Sequence, residues 1–281
     1  MTVQSIGLLH PGEMGISLAA SAQNGGHAVA WASEGRSAAT RARAEAHGLR
    51  DAGTLARLCA ECAVLVCVCP PDAAEAVAHD VAALGFTGLY LDANAISPGR
   101  AARLGEALSA AGADFVDGGL LGGPAWEPGG TTLYLSGSRA EAAAACFAAG
   151  PLRTQVLGLE IGAASALKMC YSAYNKGTTA LLGAILAAAE QLGVRPALEA
   201  AWDQDDAEFS ARAARRVRRS TRKAWRFAGE MDEIADTLRG AGLPGDFHRG
   251  AAIVFQRLAH YKEEAELPAL EEVLAALATD L

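Results

Sequence analysis

The chain has 281 residues, 51% of them apolar and 20% charged, and a formal charge of −8. At roughly 100–200 residues per domain this length predicts two domains, each with its own core, and the composition excludes a disordered or collagen-like chain. The acidic surplus, 32 Asp and Glu against 24 Lys and Arg, argues against a nucleic-acid partner, because phosphates reward dense basic surface.

No apolar run approaches the ~18–20 residues of a membrane span, the longest being 63–69 and 180–189. The chain also opens without a basic stretch ahead of an apolar one. A soluble, cytoplasmic protein with no membrane partner is expected. The first strand is expected over 5–9, followed by His10-Pro11-Gly12-Glu13-Met14-Gly15 and a helix over 15–23. A glycine-rich turn between a strand and a helix lets a pyrophosphate approach the N–H groups at the helix start. His10 stands where the G-x-G-x-x-G pattern has its first glycine, Gly12 and Gly15 hold the other two, and Pro11 fixes φ. His10, Pro11, Gly12, Glu13 and Met14 are therefore cofactor-binding candidates; an ordinary strand–turn–helix is the competing reading.

A second strand over 28–32 should end beside the adenosine ribose. An NAD site usually places Asp or Glu there for the 2′-hydroxyl. Here Ser33, Arg36 and Ser37 follow the strand, with Arg41 one turn along a helix over 38–47. Guanidinium and hydroxyl groups suit a 2′-phosphate, so NADP is the expected cofactor and NAD the less favoured one. Glu34 is the contrary sign, because it can accept from a 2′-hydroxyl. Cys59 and Cys62 form a C-x-x-C without a second ligand pair at zinc spacing, and the six cysteines are expected as buried thiols, with no metal.

The next strand, over 63–69, ends at Cys69 and Pro70, which join the cofactor-binding candidates. Helices over 73–84 and 100–111 alternate with strands over 88–92 and 114–117. This alternation argues for an α/β N-terminal domain built on a mostly parallel, doubly wound sheet covered on both faces. A last strand over 131–136, after Pro128-Gly129-Gly130, is placed to run antiparallel to its neighbour. From about residue 162 strand signals nearly vanish, and helices are expected over 162–192, 196–208, 211–239, 247–259 and 268–278. The expected domains are 1–160 and an all-α C-terminal domain, 161–281. As one helix, 162–192 would be roughly 45 Å long at 1.5 Å per residue, and its apolar circumference requires cover from other helices of the chain or of a partner. Arg212, Arg215, Arg216, Arg218, Arg219, Arg222, Lys223 and Arg226 nearly encircle one helix between acidic runs, so ion pairing is expected there rather than nucleic-acid binding.

Lys168, Tyr171, Ser172 and Asn175 lie at i, i+3, i+4 and i+7, one face of a helix. A lysine among Ala, Leu, Met, Cys and Gly is costly to bury unless something polar faces it. It either reaches the surface along its stem or pairs with a carboxylate at the domain junction, or it acts as a general acid in a cleft between the domains, with Ser172 or Asn175 orienting the same substrate oxygen.

The turn ending Gly12-Glu13-Met14-Gly15, the segment Asp117-Gly118-Gly119-Leu120-Leu121-Gly122-Gly123 and the segment Gly162-Ala163-Ala164-Ser165-Ala166-Leu167-Lys168 occur in that order. Together they resemble the three signatures of the β-hydroxyacid dehydrogenases, the superfamily of 3-hydroxyisobutyrate and 6-phosphogluconate dehydrogenases. The resemblance implies an N-terminal Rossmann domain, a helical C-terminal domain, a homodimer and a small-molecule substrate. It places the substrate-binding glycines at Gly122 and Gly123 and the catalytic lysine at Lys168. Residues 92–98 are similar to the family's loop beside the nicotinamide, with Asn94 in place of its usual serine. His10 replaces a glycine, Leu121 a serine that meets the substrate carboxylate, and Ser172 an asparagine. The segment 225–233 with Gly245-Asp246-Phe247-His248 is similar to a bacterial subgroup whose C-terminal domain is of unknown function. That likeness offers Trp225, Glu230, Glu233 and His248 as substrate-facing groups, where a core role is the plainer reading of a single His or Trp; Tyr171, on the face of Lys168, is a further substrate-binding candidate. The expected activity is hydride transfer between a nicotinamide cofactor and a hydroxyacid or related alcohol or carbonyl compound. An imine reductase and a catalytically inactive nucleotide sensor are the alternatives.

Overall fold

The computed structural model describes residues 3–279. Two compact units divide between Met169 and Cys170. The expected division at 160/161 falls earlier, because the first turns of the helix that follows it pack with the N-terminal unit.

In chain order the N-terminal unit holds β1 (Ser5–Leu8), α1 (Glu13–Asn24), β2 (Ala28–Trp31), α2 (Ala38–Ala46), β3 (Arg50–Asp51), α3 (Leu55–Glu61), β4 (Val64–Cys67), α4 (Ala74–Ala83) and β5 (Leu89–Asp92). It continues through α5 (Pro98–Ala110), β6 (Asp114–Gly122), β7 (Thr131–Ser136), α6 (Ala140–Ala145) and β8 (Arg153–Gly158) into α7 (Ala163–Ser172), which crosses the division. The eight strands form one sheet in the order β3-β2-β1-β4-β5-β6-β7-β8. Every neighbouring pair is parallel except β6 and β7. This is a mostly parallel Rossmann-like sheet with the expected antiparallel turn at 131–136. The strand order reverses between β1 and β4, and the crevice beyond the carboxyl ends of those strands is where such sheets bind ligands.

Alternation along each strand sends side chains to opposite faces. Val64, Val66, Leu89 and Leu91 join one buried cluster with Ile6, Leu8 and Ile16. Leu65, Cys67 and Tyr90 join the other with Leu58, Val81 and Leu104. Both faces are therefore buried, which is why these strands read as continuous apolar runs. β6 extends to Gly122, well past its expected end at 117, because its glycines continue a strand rather than begin a loop. A Cβ on Gly119 would collide with the Ala164 carbonyl and Lys168 Cβ, so glycine there lets α7 lie close against β6.

In the C-terminal unit a π-helical turn, Ala173–Gly177, joins α7 to α8 (Thr178–Gln191). There follow α9 (Arg195–Asp205), α10 (Phe209–Ser220), α11 (Ala224–Gly240), α12 (Asp246–Arg257) and α13 (Leu270–Ala278). The helix expected over 211–239 is thus two helices, parted by a tight turn at Thr221–Lys223. There the hydroxyls of Ser220 and Thr221 donate back to the carbonyls of Val217 and Arg218 at 2.7 Å each, competing with the helical ladder. The arginine-rich stretch is held within the chain by an ion pair and by bonds to the backbone. Arg212 pairs with Asp206, but Arg216, Arg218 and Arg222 instead donate to the carbonyls of Asn175, Pro268 and Ala265. No helix among the described residues is long and apolar enough to cross a membrane.

Candidate functional site

The β1–α1 turn sits at the strand reversal. Gly12 caps α1 with extended backbone and no capping side chain, so the first N–H groups of a 12-residue helix meet no side-chain acceptor. A Cβ on Gly12 would meet nothing within 4 Å, whereas one on Gly15 would strike the His10 carbonyl. Open space in front of the helix start and close packing behind it are what a pyrophosphate needs. Pro11 is buried, His10 and Met14 are half-buried, and the Glu13 side chain is exposed.

Beyond β2 two arginines fold back toward this turn: Arg36 donates to the Leu9 carbonyl and Arg43 to the Pro11 carbonyl, at 3.2 Å each. Arg41 instead ties the loop after β2, donating to the Ser33 carbonyl at 2.6 Å. The buried Arg36 Nε has no hydrogen-bond partner, an orphan that an anionic ligand would satisfy. Ser33 is buried and hydrogen-bonds to Asp51, Glu34 is exposed, and Ser37 caps α2 by accepting the Thr40 N–H at 3.2 Å. These groups fit a nicotinamide dinucleotide along the turn.

At the ends of β4 and β5 a buried polar cluster forms. Asn94 donates through Nδ2 to Asp92 at 2.9 Å and to Cys67 Sγ at 3.4 Å, and its Oδ1 accepts the Cys69 N–H at 2.5 Å. Cys67 and Cys69 Sγ lie 3.8 Å apart. The ligand atoms of His10, Cys67 and Cys69 all fall within 4.8 Å of one another. Contact with Cys69 and Asn94 holds the Cys67 thiol well below its ordinary range, against the effect of burial. Burial, reinforced by Cys67, pushes the Asp92 carboxyl well above its usual range. Pro70, exposed, opens the short turn Pro71–Ala73.

Lys168 is positioned by an acid far away in sequence. The buried Asp117 carboxylate on β6 accepts the Gly162 and Ser165 N–H groups at 3.0 Å each, the Ser165 hydroxyl at 2.6 Å and the Ser136 hydroxyl at 3.0 Å. It caps the start of α7, as an acid should at a helix N-terminus. From that helix Lys168 Nζ donates to the Leu120 carbonyl at 2.6 Å. Gly122, two residues on, has φ +127°, and its missing Cβ makes room for Gly130 and Thr131 of the facing strand. Gly123 borders open space, and its carbonyl accepts the Thr131 hydroxyl at 2.5 Å.

In the C-terminal unit Tyr171 is exposed and Ser172 buried. Asn175 lies in the π turn, and its amide donates to the Tyr171 carbonyl at 3.1 Å. The next residue, Lys176, pairs with the buried Glu230 on α11 and lies 4.7 Å from the centre of the Phe227 ring. The buried His248 ring packs on the same turn, with Nε2 3.4 Å from the Ala173 carbonyl and Nδ1 unpartnered. Glu230 and His248 are thus gathered at one turn, while Trp225 faces Lys262, 4.2 Å from its ring centre. Glu233 is buried on the same helix as Glu230.

Sequence reasoning missed Arg43, Asp92, Cys67 and Lys176 as site groups. The four lysines of the chain were signal enough for Lys176, and Asp92 bonds to Asn94 only two residues on; Arg43 and Cys67 are joined by contacts 25 or more residues apart that no local pattern announces.

Residues 4–148, just over half of the chain, match the family described as the NAD binding domain of 6-phosphogluconate dehydrogenase. Residues 189–258 match a domain of unknown function, DUF1932, in keeping with the C-terminal resemblance. Comparison with curated proteins finds no match. Among solved structures, the conserved protein MTH1747, described as of unknown function and structurally similar to 3-hydroxyacid dehydrogenases, is 26% identical. That match covers 98% of this chain and 100% of the other, with a TM-score of 0.66. A 3-hydroxyisobutyrate dehydrogenase from Mycobacterium tuberculosis with L-serine is 17% identical over 99% of this chain and 100% of its own, with a TM-score of 0.71. A reductive aminase from Aspergillus terreus in complex with NADPH and ethyl levulinate is 18% identical over 98% and 99%, with a TM-score of 0.55. At these identities the last two show a shared fold.

Proposed function

Because the chain belongs to the family of the NAD-binding domain of 6-phosphogluconate dehydrogenase, we propose that it is an NADP-dependent oxidoreductase. Its substrate is a hydroxyacid or a related alcohol or carbonyl compound, and Lys168 is the general acid and base. The observation that carries this reading is the setting of Lys168. An ammonium on a helix capped by a buried carboxylate is aimed at the Leu120 carbonyl, beside the glycines at the end of β6. When bound, the nicotinamide supplies or accepts the hydride. Lys168 gives a proton to the substrate oxygen in reduction and takes it back in oxidation, while the hydrogen bond to Leu120 fixes the direction of Nζ. Gly123, open at its α-carbon, leaves room for substrate to approach the backbone.

The preference for NADP rests on two arginines folded toward the turn, the orphaned Arg36 Nε, and the absence of a buried acid directly after β2. The experiment is oxidation of NADPH and NADH against panels of 3-oxo acids, aldehydes and cyclic imines, with Lys168→Ala in parallel. Carbonyl turnover is expected to fall by about 10²–10⁴-fold in the variant while NADPH binding is unchanged. Near-normal turnover in the variant, or turnover of imines alone without regard to Lys168, overturns the assignment. Equal affinity for NADPH and NADH overturns the cofactor preference.

A further inference from the structure

At the nucleotide turn and the end of β4, two of the cofactor-binding candidates, His10 and Cys69, gather with Cys67 in a cluster whose chemistry hydride transfer does not itself require. We propose that His10, Cys67 and Cys69 form a site for a zinc-class metal ion, bound by two thiolates and one imidazole with a fourth position open to water.

The two sulfurs are 3.8 Å apart. A tetrahedral zinc ion with Zn–S bonds of about 2.3 Å separates two thiolates by about 3.8 Å, so the pair is already spaced as one edge of such a site. The corresponding sulfur–nitrogen edge is about 3.6 Å, from Zn–S of about 2.3 Å and Zn–N of about 2.0 Å. The three ligand atoms lie within 4.8 Å of one another, so the imidazole closes by at most about 1.2 Å to complete the face. His10 Nδ1 is buried without a hydrogen-bond partner, a vacancy that coordination fills. A set of two sulfurs and one nitrogen is soft, which favours zinc over magnesium or calcium.

The surroundings support the ligands as well. Asn94 donates to Cys67 Sγ and accepts from the Cys69 N–H, holding one thiol and the backbone that carries the other from outside the coordination shell. Cys67 is fully buried, but Cys69 and His10 are only partly so, which leaves an access route. The C-x-x-C that drew attention in the sequence is a poorer donor pair. Among the described residues Cys59 and Cys62 join no group of three metal-ligating side chains, and Cys62 packs into the apolar core. Binding at the proposed site displaces the thiol protons to solvent, so affinity falls as pH is lowered.

The full-length chain, reduced and metal-free, is titrated anaerobically with Co²⁺ and then with Zn²⁺. The expected result is one Co²⁺ per chain, a tetrahedral spectrum with thiolate-to-cobalt charge transfer of two-sulfur intensity, and displacement by Zn²⁺. Cys69→Ser should halve the charge-transfer band and weaken Zn²⁺ binding by about a hundredfold or more, since even outer partners of a ligand are worth about 10–100-fold. His10→Ala should keep the two-sulfur band and weaken binding, and Cys59→Ser and Cys170→Ser should change nothing. A wild-type chain without charge transfer, or with an octahedral spectrum, overturns the site, as does a band lost in Cys59→Ser. The wild-type spectrum and His10→Ala decide the matter even if Cys69→Ser fails to fold. The readout does not depend on nucleotide binding or turnover.

Discussion

Asp51 closes the loop after β3. Its carboxylate accepts the Gly53 N–H at 2.7 Å. Burial acts to raise its pKa, but hydrogen bonds from Ser33 and Gly53 and the nearby Arg41 charge prevail and hold it below its ordinary 3.8. A carboxyl whose pKa is depressed by folding contributes stability that is present above its unfolded value and lost as pH falls through the folded one. Urea unfolding followed from neutral pH to below 3.8 should therefore show a steeper acid loss in the wild type than in Asp51→Asn; parallel curves would contradict this. At this scale the sequence was informative where chemistry is written in adjacent residues. The turn from His10 to Gly15 and the run Ser33–Arg36–Ser37 were legible because neighbours in sequence carry the pattern. That Ser33 spends its hydroxyl on Asp51, and that Arg43 reaches Pro11, depend on contacts formed only when β1, β2 and β3 lie side by side.

Among the elements, α7 shows how a helix is placed from across the fold. Its N-terminal groups are satisfied by Asp117, which lies on β6 and also holds Ser136 of β7. Replacing Asp117 by Ala leaves two backbone N–H groups and two hydroxyls without that acceptor in a buried setting. The expected cost is about 3 kcal/mol, since hydrogen bonds to a charged group are worth about 1.5–3 kcal/mol and orphaned donors add to the loss. Thermal unfolding measures it, and an unchanged midpoint would mean that the cap is not needed. The central strands were readable as apolar runs because both faces are buried, whereas β3 and β8 were not. β3 is two exposed residues at the sheet edge, and β8 alternates exposed and half-buried residues, so neither offers an apolar run. The short helices α3 and α6 lack enough turns to establish a period.

For the whole molecule, the sequence carried the order of an α/β unit before a helical one, because that order is a matter of periodicity summed over many residues. It did not carry the position of the division, which falls inside α7, where apolar composition is uniform. The C-terminal unit leaves Leu181, Leu192, Val194 and Ile253 exposed, and a groove of about 420 Å³ between α8, α12 and α13 is lined by Ala184, Ala188, Val254 and Leu277. Apolar surface of this kind suits an association site, and we propose a second copy of the chain as its occupant, in a two-fold dimer. Sedimentation velocity should find a two-chain species that Ile253→Glu converts to single chains without loss of helical circular dichroism. A wild-type monomer would rule out this arrangement. The π turn also makes the length of the chain itself a structural variable. It amounts to one surplus residue written into an otherwise regular helix. Excising a single residue from Ala173–Gly177 would let α geometry run through with α8 close to its present register, because five residues of the wider π turn cover about the rotation of four in an α-helix. What the deletion would change is the turn itself, from which Lys176 reaches Glu230 and the Phe227 ring. A one-codon deletion in this stretch would thus separate what the turn contributes from what the helices on either side of it contribute.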